Sequence, residues 1–538
     1  MYDLCIRNAR IVDGTGFPAF LGDIGIIGER IVALGSQLVS EAHHVLDAGG
    51  QVVAPGFIDA HTHDDLTVLR EGVVPMKVQQ GITTVITGNC GFSLAPLAPT
   101  HADAVKNYSA PVLGEDTHPW NWYTTEALFE TLRSVALGQH VRPLFGHGPV
   151  RVAVMGFEPR DATEQEMTTQ EGLVSEAMEA GAAGMSLGLM YVPGMYTSTS
   201  ELIRLASVVG RYGGVVTSHM RGEGDQLLSS LTEMLTIAER AEVAVHISHL
   251  KITGRNNWGS IQQALDLISD ARARGLDMTI DVYPYNAGST LGTQLLPPWL
   301  QEGGLATMLK RLREPETRRQ VCRDFAHGIE GWENQVGANG WDRVFVSTVR
   351  QERLRSLEGL NMAEVAETLG MAPEEAFFHL IVEEQGQMTI LIFHMDERDV
   401  DEVVRAPFSM IGSDGLPLRS GRPHPRLYGT FPRFFKRYVR ETRSLALEEA
   451  VRKVTALPAE RFRLADRGMI AVGKIADLVI FDPETISDLA TYEQPRVYPE
   501  GISAVIVSGQ IVVREKQLTP HRPGQLIAPA HGEAYVVE

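Results

Sequence analysis

Apolar and polar positions follow two different rhythms along this chain. Near the start, "LCIRNARIVDG" and "DIGIIGERIVALG" set β-branched runs on either side of a polar turn, which predicts short paired strands. The end of the chain repeats the pattern in "GMIAVGKIADLVIFD" and "ISAVIVSGQIVV". Neither set is long enough to bury its own face. Both ends are therefore expected to meet in one small β-sandwich, built from residues 1–56 and 465–538 with the tail included. Between them, eight apolar runs end in polar residues: "GFIDAHTH", "GITTVITGNCG", "VRPLFGHG", "GAAGMSLGL", "GVVTSHMRGE", "VAVHISHLK", "DMTIDVYPY" and "SMIGSDG". Segments such as "QLLSSLTEMLTIAERA" and "SIQQALDLISDARARG" fill the intervals with helical spacing. Strand–helix alternation implies a parallel sheet, and eight units imply a closed barrel with its site at the C-terminal strand ends. The barrel is expected over residues 57–290 and 401–464. Residues 291–400 break the rhythm, and compact domains seldom carry a structureless loop of that length. That segment is expected to be an insert after strand 7, with helices and short strands of its own ("DRVFVS" and "MTILIF" among them), placed to serve as a lid. The fold class is α/β: a (β/α)8 TIM-type barrel, a composite N/C-terminal β-sandwich and an insert.

The polar ends of the strands carry the candidate chemistry. Alternation along a strand points residues i and i+2 the same way, so His61 and His63 project together from the first strand end. Cys90 ends the second strand, His219 the fifth, His249 the sixth and Asp414 the eighth. A barrel brings these ends to one rim. Zinc takes imidazole nitrogen, thiolate sulfur and carboxylate oxygen, usually four ligands. Six candidates exceed one tetrahedral site and fit one tightly bound zinc plus a second, weaker site sharing a ligand. Singly, each has a plainer explanation. An H-x-H pair arises by chance; His219 and His249 serve as hydrogen-bonded core histidines. Cys90 serves as a small buried hydrophobe, and Asp414 before glycine as a turn residue. Jointly, ligand types at five strand ends outweigh those explanations. His246, three residues before His249, alternates to the opposite face and is assigned a structural role.

Composition narrows the setting. The formal charge is -19 with no run of Lys or Arg, which argues against nucleic acid or an anionic membrane surface as partner. Cys5, Cys90 and Cys322 are the only cysteines, too few and too odd for a disulfide framework, which fits a reducing compartment. No signal-peptide pattern opens the chain and no window approaches the roughly 18 apolar residues of a membrane span. A cytoplasmic protein is expected; its oligomeric state is left open.

"GFIDAHTH" and "GNCG", with "SLGLMYVPGMY", "SHMRGEGD", "HISHLKITGRNNWG", "DVYPY", "SDGLP" and "PHPRLYGTFPR", resemble the D-aminoacylases over about residues 1 to 510. These are the N-acyl-D-amino-acid deacylases of the amidohydrolase superfamily. The resemblance implies the barrel and sandwich, and a tight zinc on Cys90, His219 and His249. It assigns His61, His63 and Asp414 to the second site, with Cys90 able to bridge. Many amidohydrolases bridge two metals with a carboxylated lysine on strand 4; "GAAGMSLGL" has none, and the Cys90 thiolate would replace it. Zinc lowers the pKa of bound water to about 7, giving hydroxide to attack the amide carbonyl while the metal polarises its oxygen. Asp414 is the expected general base, passing its proton to the leaving amine. The products would be a carboxylic acid and a free amino acid.

The substrate carboxylate needs a cationic clamp, and the resemblance places it on Lys251, Tyr283 and Arg426, with Tyr191 lining the pocket. The plainer alternatives are a solvated lysine, a surface arginine in a Pro-rich loop, and ordinary aromatic packing. Phe92, Met190, Met195 and Leu418 suggest an apolar pocket. Leu418 stands where the family often carries histidine, and "GLPLRSGRPHP", with Arg419 and Arg422, is slightly longer than usual. These departures leave the side-chain preference open, and the D configuration rests on the resemblance alone. Two other functions compete with this one. A cyclic amide hydrolase of the dihydropyrimidinase kind is opposed by the missing lysine and the carboxylate-binding set. A non-catalytic scaffold acting through protein partners is opposed by the complete ligand set.

Overall fold

The computed structural model describes residues 1–38 and 42–528. Each of the eight apolar runs is a strand: β1 Phe57–Asp59, β2 Ile82–Thr87, β3 His140–Pro143 with its continuation Phe145–Gly146, β4 Gly184–Gly188, β5 Val215–His219, β6 Ala244–Ile247, β7 Met278–Val282 and β8 Ser409–Ile411. Neighbours pair in parallel in that order, with the continuation of β3 pairing β4. The ring closes between β8 and β1: the Ala60 N–H donates to the Ile411 carbonyl at 3.3 Å and the Asp414 N–H to the His61 carbonyl at 2.7 Å. Helices cover the outer face, so the strands are buried almost throughout. Several helices begin where the sequence offers a reciprocal cap, Thr163 with Glu166 and Ser198 with Glu201.

Closure also has an ionic fastening. The Asp59 carboxylate on β1 accepts from the Ser413 N–H at 2.7 Å, the Ser413 hydroxyl at 2.6 Å and Lys77 Nζ at 2.8 Å. Lys77 lies 3.4 Å from Asp64 as well and is wholly buried. Burial alone would depress its pKa; the facing Asp59 and Asp64 carboxylates more than offset this and hold the ammonium above its ordinary value.

The two ends of the chain share one nine-stranded sheet. Val52–Pro55, one residue before β1, pairs antiparallel with Leu478–Phe481. The expected sandwich is therefore joined through a continuous hydrogen-bonded edge as well as by packing. Alternate residues from both ends, including Ile6, Ile24, Ile26, Ile480 and Ile506, share an apolar cluster of their own. Residues 529–538, the end of the segment expected to hold the sandwich's second part and the tail, lie outside the described residues.

After β7 the chain leaves the barrel. Gly288–Leu291, Val344–Thr348 and Thr389–Ile392 form an antiparallel sheet, the last two arising from "DRVFVS" and "MTILIF". Helices between them pack on it around Leu300, Val321, Phe377, Phe378 and Ile381. We place this insert at residues 288–392, because helix Glu397–Arg405 already packs against the barrel helix Ile261–Ala273.

Replacing Lys77 by Met should strand two buried carboxylates and lower stability by about 3–5 kcal/mol, read as an earlier urea midpoint. A parental midpoint would show that the ion pair does not hold the barrel closed.

Candidate metal centre and active site

All six expected metal ligands converge. Cys90 Sγ lies 3.3 Å from His61 Nε2 and 3.4 Å from His249 Nε2. Asp414 Oδ1 lies 3.2 Å from His63 Nε2 and 3.5 Å from His61 Nε2. The donor atoms of Cys90, His219 and His249 lie within 4.8 Å of one another, as do those of His61, His63 and Cys90, and those of His61, His249 and Asp414. Every one of these residues is buried.

Local backbone geometry aims them. Cys90, His249 and Asp414 have φ of +54°, +37° and +48°, in the left-handed region that residues other than glycine seldom adopt. Each sits two or three residues past its strand, where this reversal turns the side chain inward. Such a conformation costs on the order of 1–3 kcal/mol and persists only where surroundings hold it. The holding contacts are visible: Asp281 Oδ1 accepts the His249 N–H at 2.9 Å, and His61 accepts the Asp414 N–H. Gly91 beside Cys90 has no alternative, since a Cβ there would lie 2.7 Å from the Gly188 nitrogen.

The donors fit zinc. One sulfur among imidazole nitrogens is its preferred chemistry. Burial alone would raise the Cys90 thiol; the His61 and His249 rings beside it reverse this and hold it well below its ordinary value, as a thiolate ligand requires. Both ring nitrogens of His219, and Nδ1 of His63, are buried without a hydrogen-bond partner of ordinary geometry among the described residues. Buried polar atoms left so are costly, and a bound cation relieves those that face it.

Two carboxylates orient the rings, and neither was among the expected site residues. Asp281 on β7 lies 3.2 Å from His61 Nδ1 and 2.8 Å from His246 Nε2. Glu223 Oε1 lies 3.1 Å from His249 Nδ1 and 2.6 Å from Lys251 Nζ. His61 and His249 thus present Nε2 inward while Nδ1 faces a carboxylate, the arrangement that fixes metal-binding imidazoles. Burial opposes the ionised form of Asp281, but His61 and His246 hold its carboxyl far below the usual range. His246 stays out of the ligand cluster, in keeping with its structural assignment, and acts on it only through Asp281. The signals were in "DVYPY" and "SHMRGE": an aspartate inside an apolar strand needs a partner.

On the other side of Asp414 stand Lys251, Tyr283 and Arg426, all buried. A solvated lysine and a surface arginine are therefore excluded. The Arg426 guanidinium lies 4.4 Å from the centre of the Tyr283 ring, and Lys251 Nζ 5.9 Å from it. Arg426 Nη2 pairs with Asp414 Oδ2 at 2.9 Å, while its Nε and Nη1 are buried without partners among the described residues. Burial would raise the Asp414 carboxyl, but Arg426, His63 and the other rings hold it well below the ordinary range. A cavity, with about 630 Å³ of atom-free space when the open solvent at its mouth is counted, faces His63, Cys90, His219, His249, Asp414, Lys251, Tyr283 and Tyr191. Arg426 stands behind Asp414 and Tyr283. Phe92 and Met190 line the cavity; Met195, Leu418, Arg419 and Arg422 do not. Arg419 is exposed and pairs with Glu71. The insert contributes Ser289, Thr290, Leu295, Gln335 and Ile392 to the lining, His394 just past it joins them, and Thr290 Oγ1 is 3.0 Å from the Tyr191 hydroxyl.

Cys90 belongs to two of the three ligand sets, so Cys90→Ala should cut the zinc content of purified protein by more than half, measured by atomic emission. Unchanged content would remove Cys90 from the ligands.

Residues 44–513 match the amidohydrolase family model. A D-aminoacylase of Alcaligenes xylosoxydans xylosoxydans is 37% identical over 528 residues, covering 98% of both chains. An N-acyl-D-glutamate deacylase of the same organism is 36% identical, covering 98% of this chain and 96% of its own. A D-aminoacylase structure with a binuclear metal centre superposes with a TM-score of 0.84 at 34% identity, covering 98% of this chain and all of the other. The N-acyl-D-glutamate deacylase of Bordetella bronchiseptica, complexed with zinc and a phosphonate mimic of the tetrahedral intermediate, gives 0.83 at 34% identity and the same coverage. With the site geometry and these full-length matches together, the chain belongs to the amidohydrolase family, in its D-aminoacylase and N-acyl-D-amino-acid deacylase group.

Proposed function

We propose that this protein hydrolyses the amide bond of N-acyl-D-amino acids to a carboxylate and a free D-amino acid, with zinc as its cofactor. One observation carries the proposal: the Cys90 sulfur sits among the site imidazoles and, across the same cavity, Asp414 faces Lys251 and Tyr283 with Arg426 behind it. The D configuration is supported by the activities named for the full-length relatives. Cys90, His219 and His249 would hold zinc tightly; His61, His63 and Asp414 would form a weaker second site sharing Cys90. When bound, zinc supplies Lewis acidity that polarises an amide carbonyl and makes water acidic at neutral pH.

The chain's own groups do the rest. Asp414 is held ionised between imidazoles and Arg426, so it can take a proton from water and deliver it to the departing nitrogen, which leaves poorly unless protonated. Arg426 fixes the Asp414 carboxylate through Nη2 and keeps two further nitrogens for the substrate carboxylate, which Lys251 and Tyr283 face from the cavity wall. Strand β4 carries no lysine, which disfavours the dihydropyrimidinase alternative, and the full ligand set disfavours a scaffold.

Lining residues Phe92, Val112, Met190, Leu295, Ile392 and Leu416 favour an apolar amino-acid side chain. Lys251 is the only Lys or Arg among the described lining residues and already faces Glu223, so a second substrate carboxylate would lack a cation. Among the described residues no helix is long and apolar enough to cross a membrane. The sparse cysteines support a cytoplasmic setting.

Asp414→Asn should retain the tight zinc while lowering kcat by about 10²–10⁴-fold; parental turnover would move the base elsewhere. Arg426→Ala should raise KM by about 10- to 100-fold, the loss of one charge-assisted contact. Acetylated D- and L-Met, Leu, Phe, Glu and Asp, followed by ninhydrin, test the substrate. Release is expected from D-Met, D-Leu and D-Phe. Equal release from L forms would overturn the handedness, and equal release from D-Glu and D-Asp the apolar preference.

A further inference from the structure

Cys90 is the third residue of the stretch Gly88, Asn89, Cys90, Gly91, which directly follows β2. Three of the four have left-handed backbone, with φ of +76° at Gly88, +54° at Cys90 and +75° at Gly91. In a tight turn of this length the carbonyl of the first residue commonly accepts the N–H of the fourth. Here one side chain from another strand binds both groups instead. Ser186 Oγ, on β4, accepts the Gly91 N–H at 3.0 Å and donates to the Gly88 carbonyl. A hydroxyl accepts and donates at a single atom, which suits it to bridge the two ends of the turn. Asn89 secures the same stretch from the other side. Its Nδ2 donates to the Ile86 carbonyl at 2.8 Å and, at 3.3 Å, to the carbonyl of Thr62, which lies between His61 and His63. The turn that carries the sulfur is thus bracketed from β1 and from β4.

Ser186 is wholly buried and is not among the residues that face the main cavity, so it acts through Cys90 and not on substrate. Its strand runs close against the turn: a Cβ on Gly188, two residues on, would lie 2.0 Å from the Cys90 carbonyl oxygen. β4 is also the strand on which a metal-bridging lysine would stand, and it has none. A cysteine with left-handed backbone keeps that conformation only where its surroundings hold it. Without the Ser186 hydroxyl, a buried N–H and a buried carbonyl on either side of Cys90 would lose their partner, and the turn would relax to find another. We propose that Ser186 is a positioning residue for the Cys90 sulfur, its hydroxyl fixing both ends of the turn that sets the thiolate among the site imidazoles. The inference rests on the zinc-ligand reading above and does not depend on which N-acyl amino acid is hydrolysed.

The test measures the zinc dissociation constant of the full chain by chelator competition, and the near-ultraviolet sulfur-to-metal absorption after cobalt replaces zinc. Ser186→Ala should weaken zinc binding by about 10- to 100-fold, the usual effect of removing a group that holds a metal ligand in place. It should also shift or weaken the cobalt band at saturating cobalt. Ser186→Thr, which keeps the hydroxyl, should restore both readouts. Ser93→Ala is the control. Ser93 Oγ is also buried, accepts the Gly146 N–H at 2.9 Å and donates to the Ala95 carbonyl at 2.6 Å, but it does not bridge the Cys90 turn. Its loss should leave the zinc constant parental. Should Ser186→Ala not fold, Ser186→Gly is measured in its place. A parental constant and band in the folded Ser186 variant, or an equal loss in Ser93→Ala, would overturn the positioning role. A parental constant in Cys90→Ala would remove Cys90 from the ligands, and this inference with it.

Discussion

A thiolate buried among imidazoles is the constraint on which the rest of this structure depends. A negative sulfur in the interior is tolerable only beside compensating positive charge or a metal. Cys90 meets that need by drawing histidines from the ends of β1 and β6 to within 3.4 Å of its sulfur. Those residues are far apart in sequence, so the barrel must close for them to meet. Asp59 of β1, bound to Ser413 beyond β8 and to Lys77, helps secure that closure.

Charges then alternate outward from the sulfur. Behind His61 stands Asp281, and behind Asp281 stands His246. Behind His249 stands Glu223, which also holds Lys251. Beside His63 stands Asp414, and behind it Arg426. Each buried charge has an opposite neighbour, and low local polarity strengthens every pair. The insert joins this network through Ser289, whose carbonyl accepts from Arg426 Nη2 at 3.3 Å, and through Glu333, whose carboxylate accepts the backbone N–H groups of Glu223 at 2.8 Å and Gly224 at 2.6 Å. The loop that positions Glu223 is thereby tied to the same insert that roofs the cavity.

Much of this was legible beforehand. Parallel barrel strands are buried on both faces and appear as apolar runs, so all eight are visible in the sequence, and each ends in the polar residues that reach the rim. The six ligand candidates followed from strand ends alone. Asp281 and Glu223 did not, because a carboxylate near a site has many plainer explanations until its partner is seen. Arg426 could be taken for a surface residue in a Pro-rich loop, and only its burial against Asp414 and Tyr283 decides otherwise. Arg419 and Arg422 stand in the loop whose extra length leaves the side-chain preference open, and that loop carries them away from the cavity.

By itself the chain's pattern determined the fold class, the rim on which chemistry collects and the elements able to bind a metal, because periodicity and residue type are local properties. Tertiary structure alone decided which nitrogen of each ring faces inward, which carboxylate orients it, how the insert closes over the cavity and where space remains for a ligand. Those features depend on distances between residues hundreds of positions apart and on left-handed turns at Cys90, His249 and Asp414. No local rule of alternation foretells such turns, since contacts across the barrel hold them.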